Sequence, residues 1–261
     1  MSDKSHLNLG FEETQAAFES PSQSERVWTE SWAERELFCP ACGADRLQAH
    51  PNNAPVADLF CGSCAEDYEL KSQKTKIGRK VLDGTWATML QRLASASNPS
   101  LFILRYGGER YAVSDLIVVP NHFFTVDLIE KRKPLASTAR RAGWVGCNIL
   151  LEKVPASGRI QIVRDGVPAT RGEVVEKWSK TAFLRETSSG ARGWLVEIMA
   201  QIESLGRPEF TIDNAYGFVP ALSALYPENR HVREKIRQQL QVLRDRGWLE
   251  FVGRGRYRLT P

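Results

Sequence analysis

The chain has no run of about eighteen apolar residues, the length a helix needs to cross a bilayer. Its opening residues, MSDKSHLNLGFEE, are acidic and carry no apolar segment of the kind that directs secretion. A cytoplasmic location with reduced thiols is therefore expected. Internal repeats and low-complexity tracts are absent too, which sets aside repeat architectures and leaves a globular protein of ordinary composition. Cysteine is scarce: five in 261 residues, an odd number, with four of them in two CxxC pairs. That pattern favours metal binding over disulfides. The length suits one large domain, or a main domain with a small second one.

The net charge of +4 is mild, but its distribution is uneven. Residues 1–37 hold eight acids against three bases. By contrast, KRKPLASTARRAGW (131–144) holds five bases and no acid, and 228–258 holds nine bases against four acids. Basic segments within a balanced chain suggest an anionic partner, most economically nucleic acid. A solvated charged surface is the alternative for each segment taken alone.

Local patterns predict a helix over about 25–35, then strands in PVADLF and DYELK around the second cysteine pair. DGTWATMLQRLASAS (83–97) reads as an amphipathic helix, with Trp86, Met89, Leu90 and Leu93 on one face. LFILRY, YAVSDLIVV and GRIQIVRDG are β-rich runs bounded by glycine and proline. Intermixed strands and helices up to about residue 180 imply one α/β domain around a mixed sheet. RETSSGARG (185–193) reads as a linker. Beyond it come three helical segments, 194–205, 213–226 and 231–247, and two short strands around the turn GRG.

Cys39-x2-Cys42, eighteen residues, then Cys61-x2-Cys64 is the spacing of a structural zinc site. Each CxxC turn supplies two thiolates to a tetrahedral ion, and Gly43 and Gly62 give such turns backbone freedom. Four filled positions leave the ion no catalytic vacancy. Asp58, Glu69 and Lys71 are then free for other work. Alternation along a strand points Glu69 and Lys71 one way and Leu70 into the core. Two neighbouring carboxylates suit Mg²⁺, and a lysine beside them can orient or help deprotonate an attacking water and stabilise charge building on a phosphate. An exposed strand face is the alternative reading of the same spacing.

Three helices and a β-hairpin are the order of a winged helix. In its third helix Val232, Ile236, Leu240 and Leu243 form the core stripe, while Arg233, Arg237, Gln238, Gln241 and Arg244 fall mainly off it. Such a helix can enter a major groove, with Arg254, Arg256 and Arg258 of the wing near phosphates. A winged helix serving protein contacts is the competing reading.

PVADLFCGSCAEDYELKSQK, RKPLASTARRAGWVGCNI and HVREKIRQQLQVLRDRGWLEFVGRGRYR closely resemble the DpnI-type restriction endonucleases, and the likeness runs over nearly the whole chain. The resemblance implies an α/β PD-(D/E)xK restriction-endonuclease-like domain with a four-cysteine zinc site (1–184) and a C-terminal α+β winged-helix DNA-binding domain (190–261). It implies a methyl-directed type II enzyme that hydrolyses phosphodiester bonds of double-stranded DNA at GATC sites containing N6-methyladenine. Catalytic Mg²⁺ and structural Zn²⁺ are the implied cofactors, and a monomer away from any membrane is expected. On this resemblance Asp58, Glu69 and Lys71 are catalytic, Asp58 and Glu69 hold Mg²⁺, and Cys39, Cys42, Cys61 and Cys64 hold zinc. The PD-like start departs from the family pattern, since Val56 and Ala57 separate Pro55 from Asp58.

Arg140, Arg141, Trp144, Arg233, Arg237, Gln238, Arg254 and Arg256 are the expected DNA contacts. The Trp144 indole is an apolar surface suited to an N6-methyl group, a core tryptophan being the alternative. Cys147 reads as a small core residue. A zinc-containing winged-helix regulator without cleavage activity is the alternative function, and Asp58, Glu69 and Lys71 discriminate. Carboxylates beside DNA repel phosphate unless a metal sits between them. A nuclease for RNA or repair intermediates fits less well, because side chains cannot read the deep A-form major groove.

Overall fold

The computed structural model describes residues 7–10, 21–51, 57–95, 97–107 and 112–260. Helix α1 (Pro21–Glu36) leads into the first CxxC turn and strand β1 (Gln48–Ala49). Strands β2 (Leu59–Phe60) and β3 (Asp67–Gln73) make an antiparallel hairpin with the second CxxC turn at its tip. Next come β4 (Lys80–Thr85), α2 (Trp86–Ala94), β5 (Ser100–Gly107) and β6 (Ala112–Val119). After these follow β7 (Ile129–Lys131), β8 (Gly146–Leu150), β9 (Ile160–Arg164), β10 (Val167–Pro168) and α3 (Arg171–Ser179).

The main sheet runs in the order β1-β2-β3-β5-β6-β9-β10. Among the described residues β3 and β5 pair in parallel, and the remaining neighbours pair antiparallel. The expected mixed sheet is present. Its middle strand β5 is apolar along most of its length because both faces are covered. Phe102 and Leu104 share a core with Trp32, Tyr68 and Trp178 on one side. Leu101 and Ile103 face the other, toward Val81, Met89 and Ile149. Helix α3 starts at a capping box: the Thr170 hydroxyl accepts the Glu173 N–H and the Glu173 carboxylate accepts the Thr170 N–H.

A second, small sheet β4-β8-β7 covers the Leu101 face. The helix expected over 83–97 begins only at Trp86, and Asp83 to Thr85 end strand β4. Of PVADLF, Leu59 and Phe60 are strand, while Pro55 and Val56 lie outside the described residues.

The C-terminal part contains α4 (Ser189–Ser204), β11 (Glu209–Thr211), α5 (Ile212–Tyr216), α6 (Val219–Leu225), α7 (Val232–Asp245), β12 (Leu249–Gly253) and β13 (Arg256–Leu259). Its sheet order is β11-β13-β12, so the expected hairpin gains a third strand. The segment 213–226 is not one helix; it breaks at Gly217, between α5 and α6. The segment 185–193, expected as a linker, is helical in its second half. Ser189 to Gly193 already form the first turns of α4, and Gly193 is buried with the Tyr226 hydroxyl 3.2 Å from where a Cβ would stand. Trp194 and Ile198 of α4 belong to the same apolar core as Leu101 and Phe124.

Candidate active site and nucleic-acid interface

Two CxxC turns meet at the tip of the β2–β3 hairpin. The Cys39 and Cys64 sulfurs are 3.6 Å apart, those of Cys42 and Cys61 are 3.7 Å apart, and all four lie within 4.8 Å of one another. A tetrahedral zinc ion with Zn–S bonds of about 2.3 Å needs sulfurs about 3.8 Å apart. The four thiols are therefore spaced to hold a structural metal such as zinc. Each turn closes with the same backbone bond, Gly43 N–H to Cys39 O at 2.8 Å and Ala65 N–H to Cys61 O at 2.9 Å. Both closing residues have positive φ, 77° at Gly43 and 57° at Ala65. In the second turn the left-handed position therefore falls on Ala65, the residue after Cys64 and the equivalent of Gly43, and not on Gly62. Gly62 serves close approach instead, since a Cβ there would stand 2.8 Å from the Gln48 amide.

The hairpin register builds the second site. Asp58 precedes β2, yet its N–H already bonds the Tyr68 carbonyl at 2.9 Å, which sets it against β3. Its Oδ2 accepts the Leu70 N–H at 2.8 Å, and its Oδ1 accepts from Arg26 at 2.8 Å. Along β3, Tyr68 and Leu70 are buried while Glu69 and Lys71 face the other side, as alternation requires. Glu69 sits 2.5 Å from the Lys71 ammonium and 3.4 Å from Arg92. Burial, reinforced by the nearby charge of Asp83, raises the Glu69 pKa above the ordinary carboxylate value, although Lys71 pulls it down. Burial alone would lower Lys71, but Glu69 and Asp83 outweigh it and keep the side chain an ammonium.

Asp58, Glu69 and Lys71 line one cavity of about 760 Å³. Five cations, Arg26, Lys71, Lys76, Lys80 and Arg92, stand in its wall beside the two carboxylates; Arg26 also pairs with Glu30 and Lys80 with Glu130. Each ionised carboxylate keeps free lone pairs beyond the bonds described, and hard oxygen donors of this kind could hold a divalent cation. Sequence reasoning missed two members of this cluster. Asp83, at the end of β4, lies 2.9 Å from Lys71 with its side chain 4% exposed. Arg92 reaches Glu69 from α2. A strand that pairs with β8, far along the chain, leaves no local signal for the first. The helical spacing of α2 could have located the second.

The basic segment 131–144 runs between β7 and β8. Arg140 and Arg141 are exposed, and Trp144 is half-buried. The indole N–H donates to Thr85 Oγ1 at 3.1 Å, and the Arg141 guanidinium lies 4.9 Å from the ring centroid. Gly146 admits the ring edge, because a Cβ there would stand 2.6 Å from it. Cys147 is buried, as expected of a core residue.

In α7, Val232, Ile236, Leu240 and Leu243 are buried together with Gln239, while Arg233, Arg237, Gln238, Gln241 and Arg244 are exposed. Arg233 and Arg237 both lie over the Tyr216 ring, at 4.9 and 5.5 Å. Gln238 accepts from Lys235 at 2.9 Å. On the wing Arg254 is exposed, whereas Arg256 and Arg258 pair with Glu209 of β11 at 3.2 and 2.7 Å.

No helix among the described residues is long and apolar enough to cross a membrane. Residues 6–187 match the model of the DpnI, Dam-replacing family, and residues 190–259 match that of its C-terminal Dam-replacing HTH domain. A helix-turn-helix domain implies that DNA is the partner. Since the first match covers more than half of the chain and the second takes up most of the remainder, the chain belongs to the DpnI, Dam-replacing family of restriction enzymes.

Proposed function

We propose that this protein is a methyl-directed type II endonuclease that hydrolyses duplex DNA at GATC sites carrying N6-methyladenine, with Mg²⁺ held by Asp58 and Glu69. The observation that carries the reading is the β2–β3 register, which brings Asp58, Glu69 and Lys71 into one cavity whose charged lining residues are mostly cations. Residues 1–184 form the PD-(D/E)xK nuclease domain and 190–261 the winged helix. Asp58 and Glu69 would hold the divalent cation, which would supply charge neutralisation at the phosphate and activation of water. The chain's own groups do the rest. Lys71 orients the attacking water and faces the charge that develops on the phosphate. Arg26, Lys80 and Arg92 hold the anionic backbone in the cavity and offset the two carboxylates. Zinc on Cys39, Cys42, Cys61 and Cys64 holds the hairpin tip, and with it the spacing between Asp58 and Glu69.

Trp144 reads the methyl group. With its N–H satisfied by Thr85, the exposed part of the ring is an apolar surface for N6-methyladenine. Arg140 and Arg141 turn to phosphates or guanine. Arg233, Arg237 and Gln238 of α7 approach the major groove, and Arg254 and Arg256 of the wing approach the backbone.

The test is cleavage of one duplex containing GATC, methylated or plain, with Mg²⁺ or with EDTA. Cutting only of the methylated duplex, and only with metal, supports the proposal. Cutting of both duplexes removes the methyl reading, and tight methyl-dependent binding without cutting replaces the nuclease with a regulator.

A further inference from the structure

The ladder between β4 and β8 carries a bulge: Asp83 faces Cys147 and Thr85 faces Gly146, leaving Gly84 as the extra residue. The Cys147 thiol donates to the Gly84 carbonyl at 3.5 Å. The Trp86 N–H bonds the Val145 carbonyl at 3.1 Å, and the Trp144 indole bonds Thr85 Oγ1 at 3.1 Å. These contacts seat the end of β4 directly on the segment that bears Trp144. A bulge re-aims the side chain beside it. Here that side chain is Asp83, which turns its carboxylate under the sheet to the Lys71 ammonium at 2.9 Å.

The Asp83 carboxylate is buried while Lys71 is 29% exposed, and a carboxylate taken out of water costs desolvation that the pairing has to offset, so stability alone does not account for it. Its geometric consequence is specific. Lys71 is held by Glu69 of its own strand and by Asp83 from another. Once Glu69 shares its oxygens with a cation, Asp83 is the anchor that remains.

We propose that Asp83 is a positioning residue for Lys71, and that the Asp83–Gly84–Thr85 bulge ties this anchor to the seat of the methyl-reading Trp144. The inference rests on the roles proposed above for Lys71 and Trp144. A base docked on the indole presses on Thr85, and two residues along the bulged strand the same displacement reaches the ammonium. Reading therefore acts on turnover as well as on binding.

The test has two arms on the full-length protein. In the first, without DNA, both with and without added Mg²⁺, an amine-reactive reagent labels lysines and mass spectrometry follows Lys71. Labelling should rise in Asp83→Asn, and in Thr85→Val, which keeps the shape of the side chain but removes the acceptor. In the second, Asp83→Asn should lower kcat about tenfold to a hundredfold, in line with losses typical of supporting groups. KM should stay within about twofold, separating positioning from binding. Asp83→Glu should restore part of kcat, and Thr85→Val should narrow the kcat ratio between methylated and plain duplexes. Unchanged Lys71 labelling in Asp83→Asn, or a loss confined to KM, overturns the positioning role. Wild-type labelling and discrimination in Thr85→Val overturn the tie to Trp144. Should Asp83→Asn fail to fold, Lys71 labelling in Thr85→Val and in Trp144→Phe decides the matter. A wild-type protein that cuts no duplex removes the proposed function, while the labelling arm still decides whether Asp83 holds Lys71.

Discussion

Asp58→Asn and Glu69→Gln should separate catalysis from stability. At position 58 an asparagine still offers an oxygen to the Leu70 N–H, so the hairpin keeps its register. What it loses is the ion pair with Arg26, whose side chain is 64% exposed, and a pair of that kind is worth at most about 1 kcal/mol. Glu69→Gln removes a charge from Lys71 and Arg92, but Lys71 retains Asp83 at 2.9 Å. Burial already makes the Glu69 charge costly, as its raised pKa records. The net effect of either change on stability should stay within about 1 kcal/mol, or about 2–4 °C in the melting midpoint of a chain this size. Cleavage should respond on another scale. A metal ion at the phosphate supplies several kcal/mol of transition-state stabilisation, so its loss should cost a factor on the order of a thousand. The assay pairs single-turnover cleavage with thermal unfolding and with binding of methylated duplex in EDTA. Binding should persist or tighten, since a carboxylate beside phosphate has gone. An Asp58→Asn protein that folds, binds, and still cuts within tenfold of the parent rate would falsify the assignment.

The purified protein should carry about one zinc per chain, and Cys61→Ser should release it, lower the melting midpoint and abolish cleavage, because metal binding contributes folding free energy. Cys147→Ser should keep the metal content intact, as read by elemental analysis. Arg254→Ala should weaken DNA binding on all sequences and reduce the salt slope by about one. Arg256→Ala should do so less, because Glu209 already holds that side chain. For pH, the Glu69 carboxyl keeps its proton to a higher pH than an ordinary carboxylate. Mg²⁺ competes with that proton, so metal affinity is present above the raised value and is lost as pH falls through it. Mg²⁺ titrations at several pH values should show this loss beginning before the ordinary carboxylate range.

The legible parts of the molecule were those encoded by neighbours along the chain. Two CxxC pairs mark the cysteine cluster by spacing alone, and the alternation of Tyr68, Glu69, Leu70 and Lys71 gives the direction of each side chain. The stripe of α7 reads from Val232, Ile236, Leu240 and Leu243 in the same way. What escaped depends on pairing between distant segments. Strand β4 is short and half-exposed, and DGT runs straight into the strongly periodic α2, so the helix pattern absorbed it. Only the ladder with β8 makes Asp83 a strand residue and carries it to Lys71. The linker segment 185–193 does hold the border between the two family matches, at 187 and 190, yet its second half is helix. Its small residues, Gly193 above all, allow close packing of α4 rather than an open connection. Strand β11, three residues long, exists because β13 pairs with it.

A crystal structure of the protein with a methylated GATC duplex and Ca²⁺, which occupies oxygen sites while leaving the DNA uncut, tests the central claim most directly. One ion should lie between the Asp58 and Glu69 carboxylates, with a backbone phosphate on that ion within reach of Lys71 and the methyl group against Trp144. An ion bound elsewhere, or a duplex lying on a face of the sheet away from this cavity, would contradict it.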